Sequence, residues 1–154
     1  MRRSLNLLIA LALLMGAAST FAASGRVLKV LPHFLDLKGR HTLSPSLFDR
    51  DAYQAQLRRH PEQRYGVRFD IQWQGRADAG GPLKLRVELR GMAKGDLPRT
   101  KILEQQVTAR SNRSRWTGLA LAGEDYKQFG DVTAWRVTLL DGDRVLSEQQ
   151  SFLW

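Results

Sequence analysis

Residues 65–74, YGVRFDIQWQ, alternate apolar and polar side chains without a break. Val67, Phe69, Ile71 and Trp73 fall on one side, and Arg68, Asp70, Gln72 and Gln74 on the other. A period of two belongs to an extended chain whose successive side chains point to opposite faces, so this is a strand with one buried and one solvated face. Residues 83–91, LKLRVELRG, repeat the pattern with Leu83, Leu85, Val87 and Leu89 inward and Lys84, Arg86, Glu88 and Arg90 outward. The glycine-rich GRADAGGP between the two segments predicts an antiparallel hairpin.

Weaker strands follow at 100–109 and 115–123. Near the end of the chain, Trp135, Val137 and Leu139 alternate with Arg136 and Thr138, and Asp141-Gly142 supplies residues that tolerate positive φ in a tight turn. The returning strand starts at Arg144. Val145 and Phe152 cannot share a face on it without a register change, which predicts a bulge near Glu148 to Gln150. Upstream, GRVLKVLP (25–32) reads as a first strand closed off by Pro32.

One stretch departs from this pattern. In residues 43–63, LSPSLFDRDAYQAQLRRHPEQ, Ser44 or Ser46 can cap a helix, Asp49 can complete a capping box with Ser46, and Pro61 ends it. Tyr53 and Leu57, at i and i+4, share one buried face. The pattern is that of a connector packed on a β framework.

About seven short strands, turn signals between them and a single helical excursion predict an all-β fold, a two-sheet antiparallel β-sandwich with one short helix in a connection. On the VTAWRVTLLDGDRVL hairpin and this strand spacing, the chain resembles the immunoglobulin-like and fibronectin type III-like sandwiches. Tyr126 precedes the strand carrying Trp135, near where such domains place a corner tyrosine, but the spacing differs. The resemblance is one of architecture and carries over no functional residue.

The N-terminus stands apart from this domain. Arg2 and Arg3, an apolar run from Leu7 to Met15 and then small residues form a secretory signal peptide, with cleavage expected after Ala22. The apolar run is shorter than the roughly 20 residues a membrane-spanning helix needs, so no integral anchor is expected. The division is therefore 1–22 signal peptide and 23–154 a single sandwich domain, periplasmic or secreted. The absence of cysteine excludes disulfides and a lipidated cysteine. Packing alone must hold a domain of about 130 residues, which is long enough for a core.

Chemical signatures are sparse. The three histidines, His33, His41 and His60, lack zinc-site spacing, and Asp36 is the sole carboxylate near the first two. There is no G-x-S-x-G, P-loop or G-x-G-x-x-G pattern, which argues against hydrolase-elbow, nucleoside triphosphate and dinucleotide chemistry. No catalytic set, metal or cofactor is expected. The alternative is a small carboxylate-dependent hydrolase with its site in the 33–60 region, using Asp36, Asp49 or Asp51.

A formal charge of +9 favours acidic partners. Two basic groups are candidate binding surfaces: Arg68, Lys84, Arg86 and Arg90, a stripe on one sheet if the first two strands pair, and Arg110, Arg113 and Arg115 beside Trp116, an aromatic placed to stack on a sugar or base. The expectation is an exported, non-catalytic interaction module of the cell envelope or extracellular space. Its partner would be an envelope protein or an acidic polymer such as a glycan or lipid headgroup, with nucleic acid disfavoured.

Overall fold

The computed structural model describes residues 23–77, 81–94, 96–108 and 113–154. The expected signal peptide and Arg110 lie outside them. Seven strands run in the order β1 (Ser24–Asp36), β2 (Arg64–Arg76), β3 (Leu83–Ala93), β4 (Leu97–Val107), β5 (Arg115–Ala122), β6 (Asp131–Asp141) and β7 (Arg144–Gln150). Helix α1 (Leu47–Arg59) and a 3-10 turn (Pro61–Gln63) join β1 to β2, and helix α2 (Gly123–Phe129) joins β5 to β6.

The strands form two antiparallel sheets, a three-stranded one ordered β1-β2-β5 and a four-stranded one ordered β4-β3-β6-β7. This is the expected sandwich, immunoglobulin-like in architecture. In the constant-type arrangement the fourth strand lies in the first sheet beside the fifth. Here β4 pairs with β3 in the second sheet, and the first keeps three strands.

The alternation of β2 and β3 is realised side chain by side chain. Val67, Phe69, Ile71 and Trp73 from one sheet meet Leu83, Leu85, Val87, Leu89, Val137 and Leu139 from the other in a single core. Trp73 is fully buried and donates its indole N–H to Thr117 Oγ1 at 2.9 Å, so the ring is buried without an orphaned donor. Trp135 is only half buried, packed edge-on against Phe69 with ring centroids 6.2 Å apart.

Four expectations are corrected. First, β2 and β3 do not form a hairpin: they belong to different sheets, and the segment between them crosses from one layer to the other. Second, β1 continues through Pro32 to Asp36, with Pro32 opposite Phe69. The N–H of Phe34, two residues on and therefore on the same side, points away from β2 toward Gln54, so the donor that Pro32 lacks would have faced the sheet edge, where no ladder bond is lost. Third, the register shift in the last hairpin falls at Leu146, between the pairs Leu139 with Ser147 and Leu140 with Val145, earlier than Glu148. Fourth, a second helix, α2, stands in the loop before β6, where the sequence predicts a single helical excursion elsewhere.

The two-residue turn after Asp141 forms as expected, with Gly142 at φ 59°. Helix α1 is capped by Ser46, whose hydroxyl accepts from the Asp49 N–H at 3.4 Å. It ends at His60, whose N–H reaches the Gln56 carbonyl. Only Gln54 and Leu57 on it are buried. Among the described residues, no helix is long and apolar enough to cross a membrane.

Candidate interaction site

The proposed basic stripe is divided between the layers. Arg68 projects from the outer face of the three-stranded sheet, whereas Lys84, Arg86 and Arg90 lie on the outer face of the four-stranded one. Pairing of β3 with β4 sets Arg86 opposite Glu104, and the two meet at 2.7 Å, with Lys84 3.7 Å from the other oxygen of the same carboxylate. The Arg86 hydrogen bond, with the charges of Lys84 and Arg86, holds the Glu104 carboxyl below its usual range against the opposing effect of burial. One strand further in, Arg136 on β6 bonds Glu88 at 2.7 Å and lies 3.8 Å from Glu148. Arg90 and Arg136 both lie against the Trp154 ring, 4.1 and 4.7 Å from its centroid. The face is thus a ladder of cross-strand ion pairs closed by the last residue of the chain.

On the other sheet, Arg68 binds Asp70 at 2.8 Å and its guanidinium lies over Gly118 of β5, where a Cβ would come within 3.0 Å of it. Asp70 also receives His33 Nδ1 at 3.2 Å. Burial would raise the Asp70 pKa, but His33 and Arg68 outweigh that and lower it. His33 in turn stacks on His41 with centroids 5.2 Å apart. Burial first, then the neighbouring His33, pushes the His41 pKa down.

The loop group is only partly joined. Arg113 is exposed, while Arg115 turns back to donate to the Thr108 carbonyl, tying the two ends of the loop. Trp116 is 52% exposed on the outer face of β5, opposite Gln72. It therefore shares a face with Arg68, and the four-stranded sheet carries the other three stripe residues.

In the 33–60 region the three carboxylates have separate tasks. Asp36 accepts from the backbone N–H groups of Lys38 and Arg40, from Arg40 Nε and from the Tyr53 hydroxyl at 2.7 Å. Burial would raise its pKa, yet these donors together hold it down to about 2. Its lone pairs are committed to bracing the loop onto α1. Asp49 sits in the first turn of that helix, and Asp51 is exposed beside Arg50 at 3.3 Å. Among the described residues, no group of three or more His, Asp or Glu side chains is arranged to hold a metal ion.

Two features escaped the sequence. Arg64, at the start of β2, is nearly buried and donates to the carbonyls of Leu57 (2.6 Å) and Arg58 (2.5 Å), the unsatisfied C-terminal groups of α1, while pairing with Asp131 at 3.1 Å and covering the Phe34 ring at 4.1 Å. It joins α1, β1, β2 and β6, and it helps to line a cleft of ≈ 560 Å³ with Tyr126, Lys94, Lys127 and Asp131. The second feature is a run of exposed apolar side chains in the connection that carries α1: Leu37, Leu43, Leu47 and Phe48, the last 82% exposed. A helix capped at Ser46 and held by Gln54 and Leu57 leaves its first-turn residues outward, and Leu47 and Phe48 occupy that turn.

No family model matches the chain, and no curated protein matches it. Among solved structures it is similar to an immunoglobulin-like protein from Pseudomonas aeruginosa, at 12% identity and a TM-score of 0.39 over 82% of this chain and 94% of that one.

Proposed function

We propose that the chain is an exported, non-catalytic interaction module of the cell envelope or extracellular space, and that it contacts another protein rather than an acidic polymer. The observation that carries this reading is the unequal treatment of charge and apolar surface. Lys84, Arg86 and Arg136 are each engaged by a carboxylate, which lowers the field available to a polyanion. Leu37, Leu43, Leu47 and Phe48, by contrast, are left in solvent within residues 37–48. Large apolar side chains exposed along one connection are a common mark of a protein contact.

The test combines two measurements. Heparin, anionic lipid vesicles and single-stranded DNA are titrated at low and at physiological salt, and a photo-crosslinking residue is placed at position 48 in living cells. The reading expects at most weak, salt-erased binding to the polyanions and a discrete crosslinked protein adduct. Tight heparin or vesicle binding that survives physiological salt, with no adduct at position 48, overturns it.

A further inference from the structure

Two open sheets have four edges, and the chain protects three of them. The β1 edge is shielded twice: Gln54 of α1 bonds the N–H and the carbonyl of Phe34, and Ser147 Oγ accepts from the Val27 N–H at 3.0 Å. That second contact brings β7 against β1, and β7 also carries Arg144 and Glu148. β4 bears Pro98, Arg99, Lys101 and Glu104, a proline and charges that deter a foreign strand.

On β5 these devices stop at its first residue, Arg115. Among the described residues it pairs with β2 alone. From Trp116 to Ala122 it contains no charge and no proline. Its edge is open because β4, the strand that would lie beside it in the constant-type arrangement, has gone to the other sheet. A strand uncharged beyond its first residue, with an open backbone edge, is a template for strand addition.

We propose that β5 is a self-pairing edge, joining two copies of the chain antiparallel about a two-fold axis through Gly118, so that two three-stranded sheets become one of six. Three observations select a second copy as the occupant. Pairing Gly118 with its own symmetry mate sets Trp116 of each copy opposite Ala120 of the other, a large ring against a methyl group, on the exposed outer face. The strand is entered through Arg113 and Arg115 and left through Glu124 and Asp125, so antiparallel pairing brings each basic end to an acidic end. Arg113, just before the strand, and Glu124, just after it in α2, are both exposed, so the pair brings them near each other at its two ends, while Asp125 is shared with Lys101, 2.9 Å away. The contact is isologous and closes on itself, so it stops at a dimer. One strand pair buries less than a standard interface, and the dimer is weak and concentration-dependent.

The proposal stands on the edge alone and not on the partner contact argued above. The full chain, expressed and processed in its host cell, is studied by sedimentation over a wide concentration range, with hydrogen exchange on the backbone amides. Wild type is expected to pass from monomer to dimer, with protection appearing in Trp116–Ala122. Ala120→Lys replaces the methyl group that fits against Trp116 of the second copy with a long charged side chain that must be desolvated at the edge, and should weaken the dimer on the order of tenfold. Glu124→Lys, outside the strand and on the surface, should weaken it, and the swap Arg113→Glu with Glu124→Lys should restore it. This pair decides the matter even if Ala120→Lys fails to fold. Phe48→Ser, aimed at the partner contact, should leave the dimer unchanged. A wild type that stays monomeric at every concentration, or a dimer indifferent to both Glu124→Lys and the swap, overturns the self-pairing edge.

Discussion

Gln54 holds Phe34 by both of its backbone groups: the side-chain oxygen accepts from the Phe34 N–H at 2.8 Å, and the side-chain nitrogen donates to the Phe34 carbonyl at 3.0 Å. The same nitrogen also donates to the His41 carbonyl at 2.8 Å. A buried amide on a helix thereby substitutes for the next strand of the sheet. Gln54→Leu keeps the volume and removes every partner, leaving three backbone groups unsatisfied. We expect a loss of about 1–3 kcal/mol in denaturant melts and faster exchange at the Phe34 amide. A change under about 0.5 kcal/mol would place Gln54 among ordinary surface residues.

Asp36 sets part of the acid limb. Its carboxyl is held down to about 2 in the folded chain, below an ordinary value of 3.8. The unfolded chain therefore binds the proton first as pH falls, so the stabilisation is complete above about pH 4 and is lost progressively toward pH 2. Discounted for solvent at the loop, the effect is roughly 1–2 kcal/mol. Asp70 and Glu104, also depressed, add to the same limb. Asp36→Asn should remove that stabilisation at pH 7 and flatten its share of the slope; parallel pH–stability curves for variant and wild type would contradict this.

His41 acts at higher pH. Its folded pKa is depressed by burial and by His33, so the folded state favours the neutral ring and stability falls as pH drops through the region just below 6.5. The melting midpoint should decline between pH 7 and pH 5, and His41→Gln should remove that step while leaving the acid limb in place.

Reversing charge on the ladder should not be silent. Lys84→Glu with Arg86→Glu places two new carboxylates against Glu104, which now bonds both native cations. Like charges opposite one another on neighbouring strands are destabilising. We expect a loss of order 1 kcal/mol that shrinks as salt is raised, and Glu104→Lys added to the pair should recover most of it. Salt-independent destabilisation would point to packing instead.

Arg64→Lys keeps a positive charge but lacks the planar fork that reaches two carbonyls, a carboxylate and a ring at once. A loss of about 1.5–3 kcal/mol is expected by calorimetry, nearly matched by Arg64→Leu. If Lys behaves as wild type, charge alone is what matters at this position.

The inward sets of β2 and β3 were readable because a period-two pattern reports which face of a strand is buried. It does not report which neighbour the strand takes. In a sandwich both sheets turn an apolar face to the same core, so VRFDIQW and LKLRVEL look alike whether they pair or face each other across it. The same ambiguity lets the sequence place Arg68 with Lys84 and Arg86, although they lie on different sheets. Helix α2 is faint in the sequence because seven residues give only two turns of periodicity, although Tyr126 and Phe129, buried at i and i+3 behind Glu124 and Asp125, carry its signature. The candidate cations were visible, but Glu104 sat in a strand read as weak. Arg64 had no local signal: its partners come from residues 34, 57, 58 and 131, which only the fold assembles.

The bond between Val27 and Ser147 joins the first strand to the last across 120 positions of chain. A polypeptide is made from one end, so β1 exists for most of the time of synthesis without the hydroxyl that seals half of its edge. Until β7 arrives, the Val27 end of that edge lacks its seal, while Gln54 can already hold the Phe34 end. Closure of this contact belongs late in folding, because pairings distant in sequence form slowly. A chain truncated before Ser147 would bare the Val27 end of β1 and most of the β6 edge in addition to β5, and aggregation, rather than loss of a particular binding function, is the first defect it should show.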